Sequence, residues 1–394
     1  MDFRKESAEL LPYIQEHRRY IHRHPELSFL EKETTEYIRK ELEKLGIATE
    51  CFPDHFGLIG TLEGGRPGKT VLLRADIDAL AIREENDLPF RSVNTGVMHA
   101  CGHDCHSAML LGAAKLLSAH REELQGTVKF LFQSGEESGH GSNYYVDCGC
   151  MENVDAAMAM HMMNDIPKGT FSIESGARMS SCTDFTLTVH GVSAHGSTPH
   201  LGRDAIVAAS AVIMNIQTLV SRENNPLHPL VVSIGSVRAG KQFNIVADTV
   251  VMEGTIRTFE QEVFRAMPKR LENLARTTAE ALGCTITFEI DTSEPAVING
   301  HEKLNEIARK AAVSLYGEDV LASMDRKMGS EDFSVIMEKV PSLLCFLGYH
   351  DEGDGTVYPL HSKDFCVNDE IMDRGAALFA RFAHDYLEKE ARHG

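Results

Sequence analysis

The chain has 394 residues, a formal charge of −19, 43% hydrophobic and 25% charged side chains. Such a length exceeds what one hydrophobic core usually supports, so it predicts two domains. The acidic balance repels phosphate backbones and anionic bilayers, which argues against nucleic acid and membrane partners.

The first residues, Met1-Asp2-Phe3-Arg4-Lys5-Glu6, lead into an amphipathic helix without an apolar signal core. No apolar run approaches the ~18 residues of a membrane span. The 9 cysteines are odd in number and lack disulfide-framework spacing, which fits a reducing cytoplasm. Helices are predicted over 5–23 and 31–45, where Leu10, Leu11, Ile14 and Ile21, then Tyr37, Ile38, Leu42 and Leu45, share a face. Strands follow at 58–62 and 71–75, then a helix at 107–119 and buried strands at 128–132 and 156–161. Strands alternating with helices predict an α/β domain with a mostly parallel sheet covered by helices.

Near residue 180 the pattern changes. Residues 184–190 alternate as a half-exposed strand; a helix at 204–222, strands at 229–238 and 248–258, a helix at 260–282 and a strand at 284–290 follow. The order β-α-β-β-α-β is the ferredoxin-like, α+β pattern. It predicts a domain over 181–292 inserted into a discontinuous one formed by 1–180 and 293–394. Helix–strand alternation resumes at 301–316, 332–339 and 343–348, and a long helix closes the chain at 369–390.

The densest chemistry lies in Met98-His99-Ala100-Cys101-Gly102-His103-Asp104-Cys105-His106, between a strand and an apolar helix. Open α/β sheets gather ligands at such a loop. A hydrolytic metal site needs N, O or S donors converging from different elements, plus a carboxylate free to act as base. Cys101, His103, Glu137, His161 and His361 are candidate ligands, and His106, at the helix start, reads as a supporting residue. In Glu136-Glu137 two adjacent carboxylates repel, and both stay ionised only beside concentrated positive charge. One could ligate while the other takes a proton from activated water. Asp76 and Asp78 share one side of a strand end; they either fix the tautomer of a ligand histidine or cap a turn. His195, in a Gly/Ser-rich loop, either reaches substrate or is a plain loop residue. Arg257, ending a strand, either clamps a carboxylate or makes a surface ion pair.

Together these segments resemble the dinuclear metal-dependent amidohydrolase family of carboxypeptidase G and aminoacylase. The most similar branch holds hippurate hydrolases, auxin-conjugate hydrolases and N-acetyl-diaminopimelate deacetylases. The likeness spans the chain: Arg23-His24-Pro25-Glu26-Leu27, Arg74 to Leu80, His99 to His106, Glu136-Glu137, Ala194-His195, Gly254 to Thr258, Gly329-Ser330-Glu331-Asp332-Phe333 and Pro359-Leu360-His361. The resemblance implies metal ligation by Cys101, His103, Glu137, His161 and His361, with Glu136 as general base. It implies that Asp78 orients the metal site, and that His195 reaches the substrate carbonyl from the other subunit of a homodimer. Asn244 and Arg257 would hold the substrate's carboxylate. Two divalent ions are implied; the donor set suits zinc, while manganese, cobalt or nickel bind such sites too.

Two departures stand out. This chain has Ser134-Gly135 where relatives commonly carry Pro-Ala, and Ala247 where they tend to have proline. The activity implied is hydrolysis of N-acyl-amino acids, the inserted domain serving as lid and dimer interface. A metallo-dipeptidase or carboxypeptidase would use the same metal site. A non-catalytic metal-binding relative would be expected to lose Glu136 or a ligand, and all are present. A local zinc knuckle at 99–106 would leave Glu136, Glu137, His161 and His361 without a purpose.

Overall fold

In the computed structural model, which describes residues 1–391, the chain forms an α/β fold with two compact units. The first comprises Met1–Gly176, Ile298–Asp325 and the stretch from Val335 onward; the second comprises Ala177–Val297 and Arg326–Ser334. The segment 326–334, which periodicity leaves with the metal-binding domain, therefore groups with the insert. Backbone pairing explains why. Ser180 N–H donates to the carbonyls of Lys327 and Gly329, and Lys327 N–H donates to that of Arg178. No hydrophobic period reveals such a pairing.

The chain opens with α1 (Phe3–Arg23), α2 (Lys32–Lys44), β1 (Ala48–Cys51), β2 (Gly57–Glu63) and β3 (Arg66–Asp76). Next come α3 (His103–Ala119), β4 (Gln125–Gln133), α4 (Gly141–Asp147), β5 (Ala156–Pro167) and β6 (Phe171–Ser172). β7 (Gly176–Met179), β8 (Ser181–His190), α5 (Ala205–Thr218), β9 (Leu230–Ala239), β10 (Thr249–Thr258), α6 (Gln261–Ala281), β11 (Thr285–Glu294) and β12 (Val297–Asn299) follow. The last elements are α7 (Glu302–Tyr316), α8 (Phe333–Met337), β13 (Ser342–His350) and α9 (Met372–Ala391).

The first unit is built on a 7-stranded sheet of order β1-β2-β4-β3-β5-β13-β6. Its centre, β4-β3-β5-β13, is parallel. Its edges are antiparallel, because β1, β2 and β6 arrive through short connections that leave no room for a crossover helix. Val71, Leu72, Leu73, Phe130 and Leu131 are fully buried, as parallel strands covered on both faces require. Helix α3 is apolar on nearly every side and packs between α1 and α9. An all-round apolar helix must lie inside. That puts its polar first turn, beginning at His103, in the interior beside the end of β3.

The second unit has the sheet order β11-β8-β10-β9, antiparallel throughout, with α5 and α6 against one face. This is the ferredoxin-like arrangement. Among the described residues, one helical stretch, Ala205–Glu223, is long and apolar enough by length and composition to cross a membrane. Asn215, Gln217 and Thr218 interrupt it as an apolar run, while Ala208, Val212, Ile216 and Leu219 bury their side chains in the unit's own core.

Candidate metal centre and active site

The parallel strands end in a converging set of polar groups. Asp76 closes β3, Asp78 follows it, and Gln133 closes β4 in register with Asp76. Gly102, at φ 90, turns the chain into α3 and aims both His103 and Cys101 inward. Glu136 and Glu137 form a single helical turn entered through Gly135 at φ 76. His161 lies within β5 rather than at its end, because the strand continues to Pro167. His361 adopts φ 64, a strained backbone for a non-glycine residue, and its N–H donates to the Ala100 carbonyl at 2.7 Å.

His103 is the centre of the arrangement. Its Nδ1–H faces the backbone carbonyl and carboxylate of Asp78 at 2.9 and 3.2 Å. In the neutral ring this fixes the tautomer and leaves the lone pair on Nε2. The lone pair is buried without a hydrogen-bond partner and faces Glu136 Oε2 at 3.7 Å, Asp76 Oδ2 at 3.8 Å and Glu137 Oε1 at 3.9 Å. Burial opposes charge on the ring, yet Asp76, Asp78 and Glu137 push its pKa up to about 10. The surroundings thus favour positive charge at Nε2, carried by a proton or by a metal ion.

The other donors behave alike. His161 donates Nδ1–H to the Met162 carbonyl at 2.7 Å, and its Nε2 lies 3.5 Å from Cys101 Sγ. Burial, reinforced by His106, holds its pKa well below the usual histidine value. It is therefore a neutral donor. Burial, with Glu137, Glu136 and Asp76 nearby, raises the Cys101 thiol far above its ordinary range, so a thiolate there requires a compensating cation. His361 Nε2 lies 3.3 Å from both Cys101 Sγ and Glu137 Oε1. Donors from Cys101, His103 and His161 cluster, as do those from Cys101, Glu137 and His361 and from His103, Glu136 and Glu137. This donor set fits divalent metal ions, with His103, His161, His361, Cys101 and Glu137 able to hold them.

His106 has both ring nitrogens engaged. Nδ1 meets Asp76 Oδ1 at 2.6 Å and Nε2 accepts the Met162 N–H at 2.9 Å. Asp76 also receives Arg74 at 2.7 Å. Burial alone would raise the Asp76 pKa, but His103, His106 and Arg74 hold it well below the carboxylate range. Asp78 accepts the Ser28 hydroxyl and the Glu137 N–H, tying the histidine to the turn that carries the two glutamates. Asp104 points away, to Arg18 at 2.8 Å and His22 at 2.9 Å, and His22 continues to Glu84 at 3.1 Å. His99 makes no hydrogen bond through either ring nitrogen, and burial, despite Asp104, lowers its pKa to about 4.

Spacing did not single out Arg18, His22, Ser28 or Glu31, because each meets partners 50 or more residues away. The Arg23 to Leu27 motif gains a physical role: the Glu26 carboxylate accepts the N–H groups of Glu33 and Thr34 and caps α2.

In the second unit, His195 and Asn244 are adjacent. His195 bridges Ile245, and Gly196 N–H donates to the Asn244 carbonyl at 2.8 Å. The His195 Nδ1 accepts the Ser197 N–H at 3.1 Å, which in the neutral ring leaves the proton on Nε2, and the residue is exposed. Arg257 donates to the Met328 carbonyl at 3.2 Å. His195 and Asn244 adjoin the Thr249 end of β10, and Arg257 lies near its other end. Thr249 and Arg257 are separated by about 26 Å at roughly 3.3 Å per strand residue.

Residues 72–385 match the model of peptidase family M20/M25/M40. The chain belongs to that family. An IAA-amino acid hydrolase ILR1-like 4 of Arabidopsis thaliana is 37% identical over 94% of this chain and 84% of the plant protein. Thermostable carboxypeptidase 2 of Saccharolobus solfataricus is 34% identical over 98% of both chains. Among solved structures, the YXEP protein of Bacillus subtilis, described as a dinuclear metal-binding peptidase from the M20 family, superposes with a TM-score of 0.83. It is 34% identical, over 96% of this chain and 99% of its own. The M20 family is one of metal-dependent amidohydrolases and peptidases, and this chain is a hydrolase of it.

Proposed function

We propose that this M20 protein hydrolyses N-acyl-amino acids to a carboxylic acid and a free amino acid. One observation carries the reading: the buried Nε2 of His103 faces Glu136, Glu137 and Asp76, an arrangement that calls for positive charge at that atom, which a bound metal ion supplies. We assign the ligands as Cys101, His103, Glu137, His161 and His361, and Asp78 as the group that orients His103. Two divalent ions, zinc or manganese with cobalt and nickel as further candidates, would lower the pKa of a bound water and polarise the amide carbonyl.

Within that setting Glu136 removes the water's proton and returns it to the departing nitrogen, which must be protonated to leave. The Nε2–H of His195 donates to the developing oxyanion, a contribution of roughly 3 kcal/mol. Arg257 and Asn244 bind the carboxylate of the amino-acid part. The length of β10 keeps His195 and Asn244 away from Arg257 within one chain, which supports their serving the partner's site in a homodimer. Exposed apolar residues on α5 and the edge strand β9, namely Ile206, Val207, Met214, Val231 and Val237, support association through this unit. We include a cytoplasmic setting in the proposal, on the scattered cysteines.

A second reading is favoured by the carboxypeptidase relative: a peptidase acting on free peptides through the same metal site. Assaying N-acetyl-amino acids, N-benzoyl-amino acids and dipeptides with zinc, manganese, cobalt and nickel separates the two. Turnover of the acylated substrates supports the proposal, and turnover of dipeptides alone replaces it. A flat response across the panel overturns the hydrolase assignment for these substrate classes.

A further inference from the structure

We propose that Glu31 is a positioning residue that fixes the turn carrying Glu136, acting through Ser134 and Gly135. This rests on the assignment of Glu136 as base. Glu31 stands at the N-cap position of α2, where a carboxylate ordinarily accepts the helix's own first N–H groups. It makes no such bond, and Glu26 caps α2 instead. The Glu31 side chain reaches across to the end of β4. Its Oε2 accepts the Ser134 hydroxyl at 2.6 Å and its Oε1 the Gly135 N–H at 3.0 Å.

These two residues immediately precede Glu136. The Glu31 side chain is fully buried, and burial, opposed by the Ser134 hydroxyl, pushes its pKa up to about 7. A buried carboxylate is costly, and it persists where its two oxygens each hold a donor. The segment braces the turn at two more points. The Phe29 ring, on a backbone at φ 63, fills the space a Gly135 side chain would need, 2.3 Å from where a Cβ would lie. Ser28 holds the same Asp78 oxygen that accepts the Glu137 N–H. Ser134 N–H is tied separately to the Tyr145 hydroxyl at 2.9 Å. The Ser134-Gly135 pair thus has a purpose in this chain: its hydroxyl gives Glu31 a grip that proline would lack.

Glu31→Ala, Glu31→Gln and Ser134→Ala test this in the metal-loaded full-length protein. The first readout is amide hydrogen exchange in the 133–138 segment; the second is kcat and KM for N-acetyl-L-cysteine and N-benzoylglycine. Glu31→Ala is expected to speed exchange in that segment and to lower kcat about ten- to a hundredfold with KM little changed. Glu31→Gln, which still accepts from Gly135, is expected to stay within about threefold, and Ser134→Ala to fall between the two. Exchange unchanged in Glu31→Ala overturns the brace. Faster exchange without a loss of kcat, or a loss that Glu31→Gln shares in full, overturns the positioning role. A Glu136→Gln protein that keeps full activity would refute the base assignment instead, while the exchange result still decides the brace.

Discussion

His103 turns its Nδ1–H onto Asp78 and leaves its Nε2 facing Glu136 Oε2 at 3.7 Å. A neutral imidazole nitrogen and a carboxylate buried so close repel unless a proton or a metal ion lies near both. Asp78 is what prevents the ring from relieving the conflict by changing tautomer. Asp78→Ala is therefore expected to weaken metal binding about ten- to a hundredfold. Calorimetric titration of the metal-free protein with zinc or manganese checks this. Unchanged affinity would make Asp78 a mere turn-forming residue.

Glu136 and Glu137 are neighbours with different expected phenotypes. Glu136→Gln keeps the shape of the turn but cannot take a proton, so kcat is expected to fall about a thousandfold with the metal content retained. Glu137→Gln is expected to lose metal as well. Elemental analysis beside the rate measurement separates the two. If the phenotypes were exchanged, the two roles would have to be exchanged with them.

Much of this was legible in the sequence because it was local. The string from His99 to His106 announces donors, α3 declares itself interior by being apolar all round, and the β-α-β-β-α-β order of the insert is carried by plain periodicity. What escaped was long-range. His22 meets Asp104 across 82 positions and Glu31 meets Gly135 across 104, and a lone carboxylate at a helix start looks like an ordinary cap. The extension of β5 beyond His161 escaped for a different reason. Asn164 and Asp165 break the apolar run, yet the strand keeps pairing with β13 as far as Pro167. The pairing of 326–334 with the insert rests on backbone hydrogen bonds, which have no side-chain signature.

The separation of His195 from Arg257 leads to a complementation test. A His195→Ala chain and a Glu136→Ala chain are each expected to be nearly inactive. In a mixed dimer, one site keeps its own Glu136 and receives His195 from the partner. Equal mixing with free subunit exchange is expected to restore about a quarter of wild-type activity, since half the dimers are mixed and each has one complete site. Exchange is verified with tagged subunits. Verified mixed dimers without recovered activity would show that His195 serves its own chain.

Glu294 gives a pH dependence confined to the second unit. Burial, countered by Ser330 and reinforced by Glu331, pushes its pKa up to about 7 although Arg257 lies near. A carboxyl whose folded pKa exceeds its unfolded value favours the folded state while protonated. Its contribution is complete below about pH 4.5 and is lost as pH rises through about 7. Glu294→Gln removes that titration. Relative to wild type, the variant is expected to gain stability on the order of 2 kcal/mol between pH 4.5 and pH 8. Urea unfolding at pH 5 and pH 8 measures the difference, and an identical difference at both values would mean that Glu294 does not titrate in this window.

Gly135 is where the brace and the base meet, and it supplies the strictest steric test. Its φ of 76 disfavours any side chain, and a Cβ would fall 2.3 Å from the Phe29 ring. Gly135→Ala is expected to cost about 1–3 kcal/mol of stability and to lower kcat through displacement of Glu136. Truncating the ring in Phe29→Ala/Gly135→Ala removes the clash but leaves the φ requirement, so part of the loss should return. Thermal unfolding and kcat on the two single variants and the double variant form a cycle. Additive effects would show that Phe29 and Gly135 do not constrain one another, and that the strain at Phe29 serves something other than the turn.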